Sequence, residues 1–261
     1  MAEVEVRREG GVATVVMSRP PANAMTPEFV GAICDAVAEL GDDESVRVIV
    51  LRSALERFFM AGADLGNMAA RVAATDAGSR QVGVLSRRIT VIERVPKPTI
   101  AMIGGHALGG GCEIALCCDY RYMIDDGHAT IGLTETTLGL LPGAGGTQRL
   151  PRLVGRGPAL KMIIEGSRLK AAEALGIGLV DAALAPDELE DAVAEKARQL
   201  AALATRAVGL AKRAVLDGLD TNLEDGLAVE SRAFAEVLDT DDIREGVGAF
   251  LDKRKPSFKG R

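Results

Sequence analysis

The sequence predicts an α/β protein with a largely parallel sheet, because short apolar runs alternate with helical segments along the chain. Two runs, VRVIVLRS from Val46 to Ser53 and TIAMI between Pro98 and Gly104, are rich in β-branched residues and bounded by turn formers, as buried strands are. The 261 residues are 48% hydrophobic and 26% charged, which supplies a core large enough for such a fold.

The elements of the first half are predicted in the following order. The N-terminal stretch MAEVEVRREGGVATVVM alternates like a β-hairpin. Thr26, an N-cap hydroxyl followed by proline, begins a helix whose apolar residues keep helical spacing to Gly41. After the strand that ends at Ser53, FFMAGADLGNM is predicted to be a loop. The polar stretch 69–83 is predicted to be a helix or loop, and 84–95 a helix.

The second half changes character near its middle. EIALCCD follows three glycines as a helix, YRYMI is a third strand, and LGLLPGAGGTQRLPRLVG is a turn-rich passage that leads into a helix. From about Pro186 the pattern is helical, and the apolar faces of these helices need a cover, for which a partner subunit is a natural candidate. We therefore divide the chain into a core domain, 1–190, and a C-terminal helical region, 191–261.

Charge and cysteine usage argue against several classes of protein. The net charge of −6 and the lack of a dense Lys/Arg block disfavour a nucleic-acid or anionic-membrane surface. The sequence has no run of about 18 apolar residues, so no membrane span is predicted. The N-terminus does not have the layout of a signal peptide. The four cysteines lie in apolar stretches without a C-x-x-C pair, so we expect a reducing, cytoplasmic location and no metal site.

Two glycine-containing stretches are candidates for binding an anionic oxygen. In MAGAD, Gly62 permits an unusual turn that lets the amide of Ala63 point into a cleft. Gly109, Gly110 and Gly111 open a helix, where free amides and the helix dipole favour negative charge. Amides from both loops, converging on one point, would form an oxyanion hole.

Two carboxylates lie close to these stretches in the sequence. Glu113 falls in the first turn after the glycines, and Glu135 follows the next predicted strand. A pair facing one pocket would suit general acid–base chemistry, because mutual repulsion and burial separate their titrations. The alternative is that the glycines form a simple turn and that Glu113 only complements the helix dipole. From the chemistry of the residues alone, the sequence predicts an α/β protein with a candidate anion hole and two acids.

Six segments of the chain resemble the enoyl-CoA hydratase/isomerase, or crotonase, superfamily. They are RPPANAM, FFMAGADL, GGHALGGGCEIALCCD, ETTLGLLPGAGGTQRLPRLVG, AAEALGIGLVD and AFLDKRKPSFKGR, and they occur in the family's order along nearly the whole chain, from Arg19 to Arg261. The resemblance implies a superhelix of repeated ββα units with a C-terminal helical region that packs homotrimers, often two per hexamer. It also implies an acyl-CoA thioester as substrate, with coenzyme A as part of that substrate and no separate cofactor.

The resemblance also implies roles for individual residues. The amides of Ala63 and Gly110 would hold the thioester oxygen, Glu113 and Glu135 would be the two hydratase glutamates, and the Gly143 amide would help to place water. The residues implied to contact substrate or CoA are Ala24, Ala63, Asp64, Leu65, Gly66, Gly110 and Lys253. Gly66 stands where the family often has a CoA-contacting lysine.

We therefore expect reversible syn addition of water to a trans-2-enoyl-CoA, giving a 3-hydroxyacyl-CoA. Two acids favour a hydratase, since moving a double bond needs only one carboxylate. An isomerase, a dehydratase working in reverse and a thioester hydrolase remain alternatives, and a non-catalytic RNA-binding member is a remote one. The length of the acyl chain, and which glutamate is the base, stay open.

Overall fold

The computed structural model describes residues 3–64, 66 and 83–261. The strands in this part of the chain are β1 (Val4–Glu9), β2 (Val12–Met17), β3 (Val48–Ser53), β4 (Phe58–Met60), β5 (Thr99–Ile103), β6 (His106–Leu108), β7 (Tyr120–Ile124), β8 (Ile131–Gly132) and β9 (Ala182–Leu184). The α-helices are α1 (Pro27–Asp42), α2 (Val84–Arg94), α3 (Gly110–Leu116), α4 (Gly146–Val154), α5 (Arg156–Glu165), α6 (Ala171–Gly176), α7 (Leu189–Ala201), α8 (Thr205–Leu219), α9 (Leu223–Leu238) and α10 (Asp241–Leu251).

The strands form two sheets, and from β3 to β8 successive strands belong alternately to one sheet and to the other. One sheet has six strands in the order β1-β2-β3-β5-β7-β9, antiparallel at β1–β2 and parallel elsewhere. The other has β4, β6 and β8, all parallel. Each consecutive pair, β3 with β4, β5 with β6 and β7 with β8, gives one strand to each sheet. The predicted α/β class with repeated ββα units is confirmed.

The prediction of a loop across FFMAGADLGNM is wrong at its start. Phe58–Met60 forms β4, and β6, β8 and β9 are further short strands that the sequence pattern did not reveal. None of these four has more than three residues, which is too short for an alternation of apolar and polar residues to be recognised. The predicted stretch 69–83 lies outside the described residues except for Gly83.

Helix α1 shows why its predicted boundaries hold. The Thr26 hydroxyl accepts a hydrogen bond from the amide of Phe29 at 3.2 Å, and proline occupies the first helical position. Its apolar side chains are buried in the main core. At the other end, the buried Lys97 ammonium donates to the Leu40 carbonyl at 2.7 Å, which satisfies one of the free carbonyls there.

The two faces of the six-stranded sheet are covered differently. The main core lies on one face and includes the buried side of α1, whereas α7 packs on the other face against β3 and β5. The predicted division at residues 190/191 therefore falls in a helix that shares the core of the sheet. As a boundary of an oligomerisation region it stays a prediction.

Helices α8, α9 and α10 bury few of their own apolar residues. The end of the chain is hydrogen-bonded to the start of α10. The carbonyl of Arg261 accepts hydrogen bonds from the amides of Asp241 and Asp242, and the Asp242 carboxylate accepts from those of Lys259 and Gly260. Among the described residues, no helix is long and apolar enough to cross a membrane.

Candidate active site

The two predicted glycine loops lie directly against each other. They follow β4 and β6, which are neighbouring parallel strands, so their carboxyl ends meet at one edge of the sheet. Gly62 has φ of +94°, and a Cβ atom placed on it would come within 2.9 Å of the Leu108 carbonyl and 3.5 Å of the Gly110 nitrogen. Only glycine gives this conformation and this approach at no steric cost.

The amide of Ala63 faces away from the residue that fixes its loop. Met25 forms a parallel bridge with Ala63, in which the Met25 amide donates to the Gly62 carbonyl at 2.7 Å and the Asp64 amide donates to the Met25 carbonyl at 3.2 Å. Backbone groups alternate in direction along an extended segment, so the N–H of Ala63 points to the opposite side. Gly110 begins α3, where an amide has no acceptor in the preceding turn.

The glycine triplet is required because each of its members has a different close neighbour. A Cβ atom on Gly110 would overlap the sulfur of Met25, and one on Gly111 would overlap the carbonyl of Met60. Gly109 has φ of +52°, and a Cβ there would lie 3.0 Å from Oε1 of Glu135. The triplet is therefore a packing requirement of the site and more than a simple turn.

Glu113 is buried in α3, with 2% of its surface exposed, and it is held by backbone amides. Its Oε1 accepts hydrogen bonds from the amides of Ala144 at 2.7 Å and Gly146 at 2.8 Å. Burial raises the pKa of Glu113, while the hydrogen bonds from Gly146 and Ala144 and the charge of Arg149 oppose that rise. These donors orient the carboxylate and favour its ionised form.

Glu135 has a different environment. It is the first residue of a short 3₁₀ helix, Glu135–Leu138, and is half-buried. Within the described part of the chain, its Oε2 is buried without a hydrogen-bond partner. Burial and the charge of Glu113 raise the pKa of Glu135 to about 7, against the opposing effect of its own backbone amide. The two carboxylates thus interact, and one of them exchanges a proton near neutral pH.

The turn before α4 contains Gly143, the residue expected to help place water. Gly143 is exposed in this turn, next to Ala144 and Gly146, whose amides hold Glu113. Sequence reasoning missed these two residues and also Arg149, which donates to the Ala144 carbonyl at 3.0 Å. All three lie in the segment ETTLGLLPGAGGTQRLPRLVG, but spacing alone does not show which amide of a turn faces a distant side chain.

The structure places the residues expected to contact CoA on two parts of the chain. Ala24 is half-buried and its carbonyl accepts from Arg19 at 3.0 Å, while Asp64 lies 3.5 Å from the Arg19 guanidinium. Gly66 is exposed, and Leu65 lies outside the described residues. Lys253 is exposed two residues after the end of α10, in the C-terminal helical region.

In residues 3–64, 66 and 83–261, no cluster of three or more His, Cys, Asp or Glu side chains is suited to hold a metal ion. The four cysteines are buried and not joined in disulfides.

Comparisons with known proteins identify the family of the chain. The sequence model of the enoyl-CoA hydratase/isomerase family matches residues 7–261. A short-chain-enoyl-CoA hydratase of Clostridium acetobutylicum is 40% identical over 99% of this chain and 98% of its own length. A crotonyl-CoA hydratase of Syntrophomonas wolfei is 38% identical, covering 97% and 96%. The crystal structure of an enoyl-CoA hydratase from Bacillus anthracis is 36% identical, with a TM-score of 0.91 and complete coverage of both chains. The chain belongs to the enoyl-CoA hydratase/isomerase family.

Proposed function

We propose that the protein is an enoyl-CoA hydratase, which adds water reversibly and syn across the double bond of a trans-2-enoyl-CoA to give a 3-hydroxyacyl-CoA. The observation that carries this proposal is the pair of interacting carboxylates, Glu113 and Glu135, beside two adjacent glycine loops. The activities named for the relatives in Clostridium acetobutylicum and Syntrophomonas wolfei support the same reaction.

The amides of Ala63 and Gly110 would form the oxyanion hole for the thioester carbonyl. Addition at C3 pushes charge onto the thioester oxygen, which becomes an enolate oxygen. Donors fixed in place for that charge contribute about 2.7–4 kcal/mol each to transition-state stabilisation. The close packing of the loops that carry Ala63 and Gly110 supports this role, because neither amide would need to move during the reaction.

The different environments of the two glutamates suggest which of them is the base and which is the acid. Ionised Glu113, oriented by two amides, takes a proton from water while the water oxygen bonds to C3. Glu135, whose pKa is raised to about 7 by burial, gives its proton to C2. Water thus supplies oxygen to C3, and one proton moves onto Glu113 as another leaves Glu135. Gly143, in the adjoining turn, would help to place the water.

The substrate contacts and the assembly are parts of the same proposal. Ala24, Asp64, Leu65 and Gly66 would lie along the CoA moiety, and Lys253 would reach the CoA of a neighbouring subunit in a homotrimer or a dimer of trimers. Assembly is supported by large apolar side chains exposed on α8, α9 and α10, namely Val215, Leu219, Leu223, Leu227, Phe234, Leu238, Val247, Phe250 and Leu251. The proposed reaction uses protein groups and substrate-borne CoA alone, and the free cysteines support a cytoplasmic location.

Purified protein tests the reaction directly. Incubated with 2-enoyl-CoA esters of several chain lengths, it is expected to consume the conjugated double bond and to yield 3-hydroxyacyl-CoA, with the syn stereochemistry read in deuterium oxide. Turnover of 3-enoyl-CoA esters without net addition of water would instead identify an isomerase, in which Glu135 alone shuttles the proton. Salt-sensitive RNA binding without any turnover would contradict both enzymatic functions.

A further inference from the structure

We propose that Arg149 is a positioning residue of this reaction, acting through the Ala144 carbonyl on the turn that holds Glu113. The inference rests on the proposed hydratase function, because it concerns the orientation and charge of the carboxylate that takes the proton.

Arg149 joins two helices through a largely buried guanidinium. From α4, its Nε and Nη2 donate to Oε2 of Glu93 on α2 at 3.1 and 2.7 Å, and Nη2 also donates to the Thr90 hydroxyl at 3.0 Å. The side chains of Arg149 and Glu93 are only 13% and 25% exposed. A buried ion pair contributes little net stability, because desolvation offsets most of its attraction. The fixed position of the Arg149–Glu93 pair therefore suggests that Arg149 does more than stabilise the fold.

The guanidinium and Glu113 bind opposite sides of one residue. The Ala144 amide donates to Glu113 Oε1, whereas the Ala144 carbonyl accepts from Arg149 Nη1 at 3.0 Å. Gly145 follows with φ of +106°, and a Cβ atom on it would overlap Nη1. A glycine at this position gives the guanidinium room to reach the Ala144 carbonyl. Arg149 therefore holds the turn on one side, while the Ala144 and Gly146 amides hold the Glu113 carboxylate on the other.

Arg149 also acts on Glu113 through its charge. Its positive charge is one of the influences that oppose the rise in the pKa of Glu113 caused by burial. The titratable and charged groups that interact with Glu113 are Arg149 from α4, Glu135 from the 3₁₀ helix, Cys112 from α3 and Cys117, which directly follows α3. Glu93 on α2 faces Arg149, its ion-pair partner. Without the guanidinium, the pKa of Glu113 rises further and less of the base is ionised at a given pH.

Two substitutions separate the effects of geometry and charge. Arg149→Met keeps much of the apolar stem and loses both, so kcat is expected to fall about 10- to 100-fold. The acidic limb of the kcat/KM profile should also move to higher pH. Arg149→Lys keeps the charge but lacks the planar fork. It should lose rate with the acidic limb unmoved, and KM should change less than about threefold in both variants if uniform binding is preserved. Arg152→Met, an exposed arginine of the same helix, is the matched control.

The outcomes distinguish this inference from the proposed function. If the wild type hydrates enoyl-CoA and Arg149→Met keeps its rate and its pH profile, Arg149 has no positioning role although the hydratase function stands. If the wild type does not hydrate, the function itself is wrong. Should Arg149→Met not fold, Arg149→Lys decides by its rate per acyl-CoA-binding site. A reduced rate at each competent site supports positioning, and a normal rate overturns it.

Discussion

Glu113 and Glu135 are the same residue type, yet the chain surrounds them differently. Two amides donate to Glu113, whereas Oε2 of Glu135 has no hydrogen-bond partner in the described part of the chain. Because hydrogen bonds to a carboxylate favour its charged form and burial disfavours it, the two groups suit opposite directions of proton transfer. Environment, and not residue type, gives each acid its proposed function.

Replacing either acid by its amide tests the two-acid scheme. In Glu113→Gln and Glu135→Gln we expect hydration to fall by at least about 10²-fold, because each positioned acid or base contributes about 10²–10⁴. Binding of a CoA ester, measured by calorimetry, should survive since neither carboxylate is proposed to hold CoA. Glu230→Gln, at an exposed site on α9, is the control. A near-normal rate in either active-site variant would reject the scheme.

The raised pKa of Glu135 also predicts how stability depends on pH. Folding lifts this pKa from 4.5 to about 7, so between these values the folded chain keeps a proton that the unfolded chain has released. The resulting contribution to stability is complete below pH 4.5 and is lost as the pH rises through 7. From pH 5 to 8, the free energy of unfolding of the wild type should fall relative to Glu135→Gln by about 1–2 kcal/mol, discounted for partial exposure.

Denaturant titrations of both proteins at pH 5 and pH 8 measure this difference. A gap between wild type and Glu135→Gln that is the same at the two pH values would show that the Glu135 carboxyl titrates in its ordinary range.

At the scale of elements, α3 can begin where it does only because its first residues have no side chains. A methyl group on Gly111 would meet the Met60 carbonyl, which belongs to the backbone of β4 and has little freedom to move. We expect Gly111→Ala to cost at least about 2 kcal/mol of stability, through overpacking.

Gly157→Ala in α5 is the matched comparison, since a methyl group there meets no atom within 4 Å. Alanine favours a helix over glycine by up to about 1 kcal/mol, so this variant should be neutral or more stable. Thermal melts of the two variants give the test. Equal melting temperatures would mean that β4 and α3 are not packed as closely as the structure has them.

The long elements were predictable from the sequence, whereas the second sheet was not. Helix α1 has an N-cap, a proline and six buried apolar positions, and each of these leaves a local signal. Strand β8 is only two residues long and is defined by its pairing with β6, a neighbour far away in the sequence. The site shows the same division. The glycines and glutamates of the site can be recognised from their residue types, but nothing local in the sequence shows that the Ala144 and Gly146 amides bind Glu113.

At the scale of the whole molecule, the C-terminal helices leave several large apolar side chains exposed. Phe250 is 83% exposed on α10, and Leu223 and Leu219 are similarly exposed on α9 and α8. Large apolar side chains exposed on three successive helices are typical of a protein–protein interface, and the proposed trimer would bury them.

A charge placed on this surface tests the assembly. Phe250→Asp should shift the sedimentation profile toward monomer, because association would require burial of an unpaired carboxylate. Gln199→Asp adds the same charge to an exposed position of α7 and should leave the profile unchanged. If the wild type sediments as a monomer, or Phe250→Asp assembles as the wild type does, the C-terminal helices are not the interface.

The alternate filling of the two sheets has a consequence for the order of events during synthesis. Ala63, Gly110 and Glu135 lie after successive strands of the smaller sheet, and Ala144 comes later still. A nascent chain emerging from the ribosome therefore lacks part of the proposed active site until more than half of it has been translated. Truncated products that end before Gly146 would lack one or both of the amides that orient Glu113, and no hydration is expected from them.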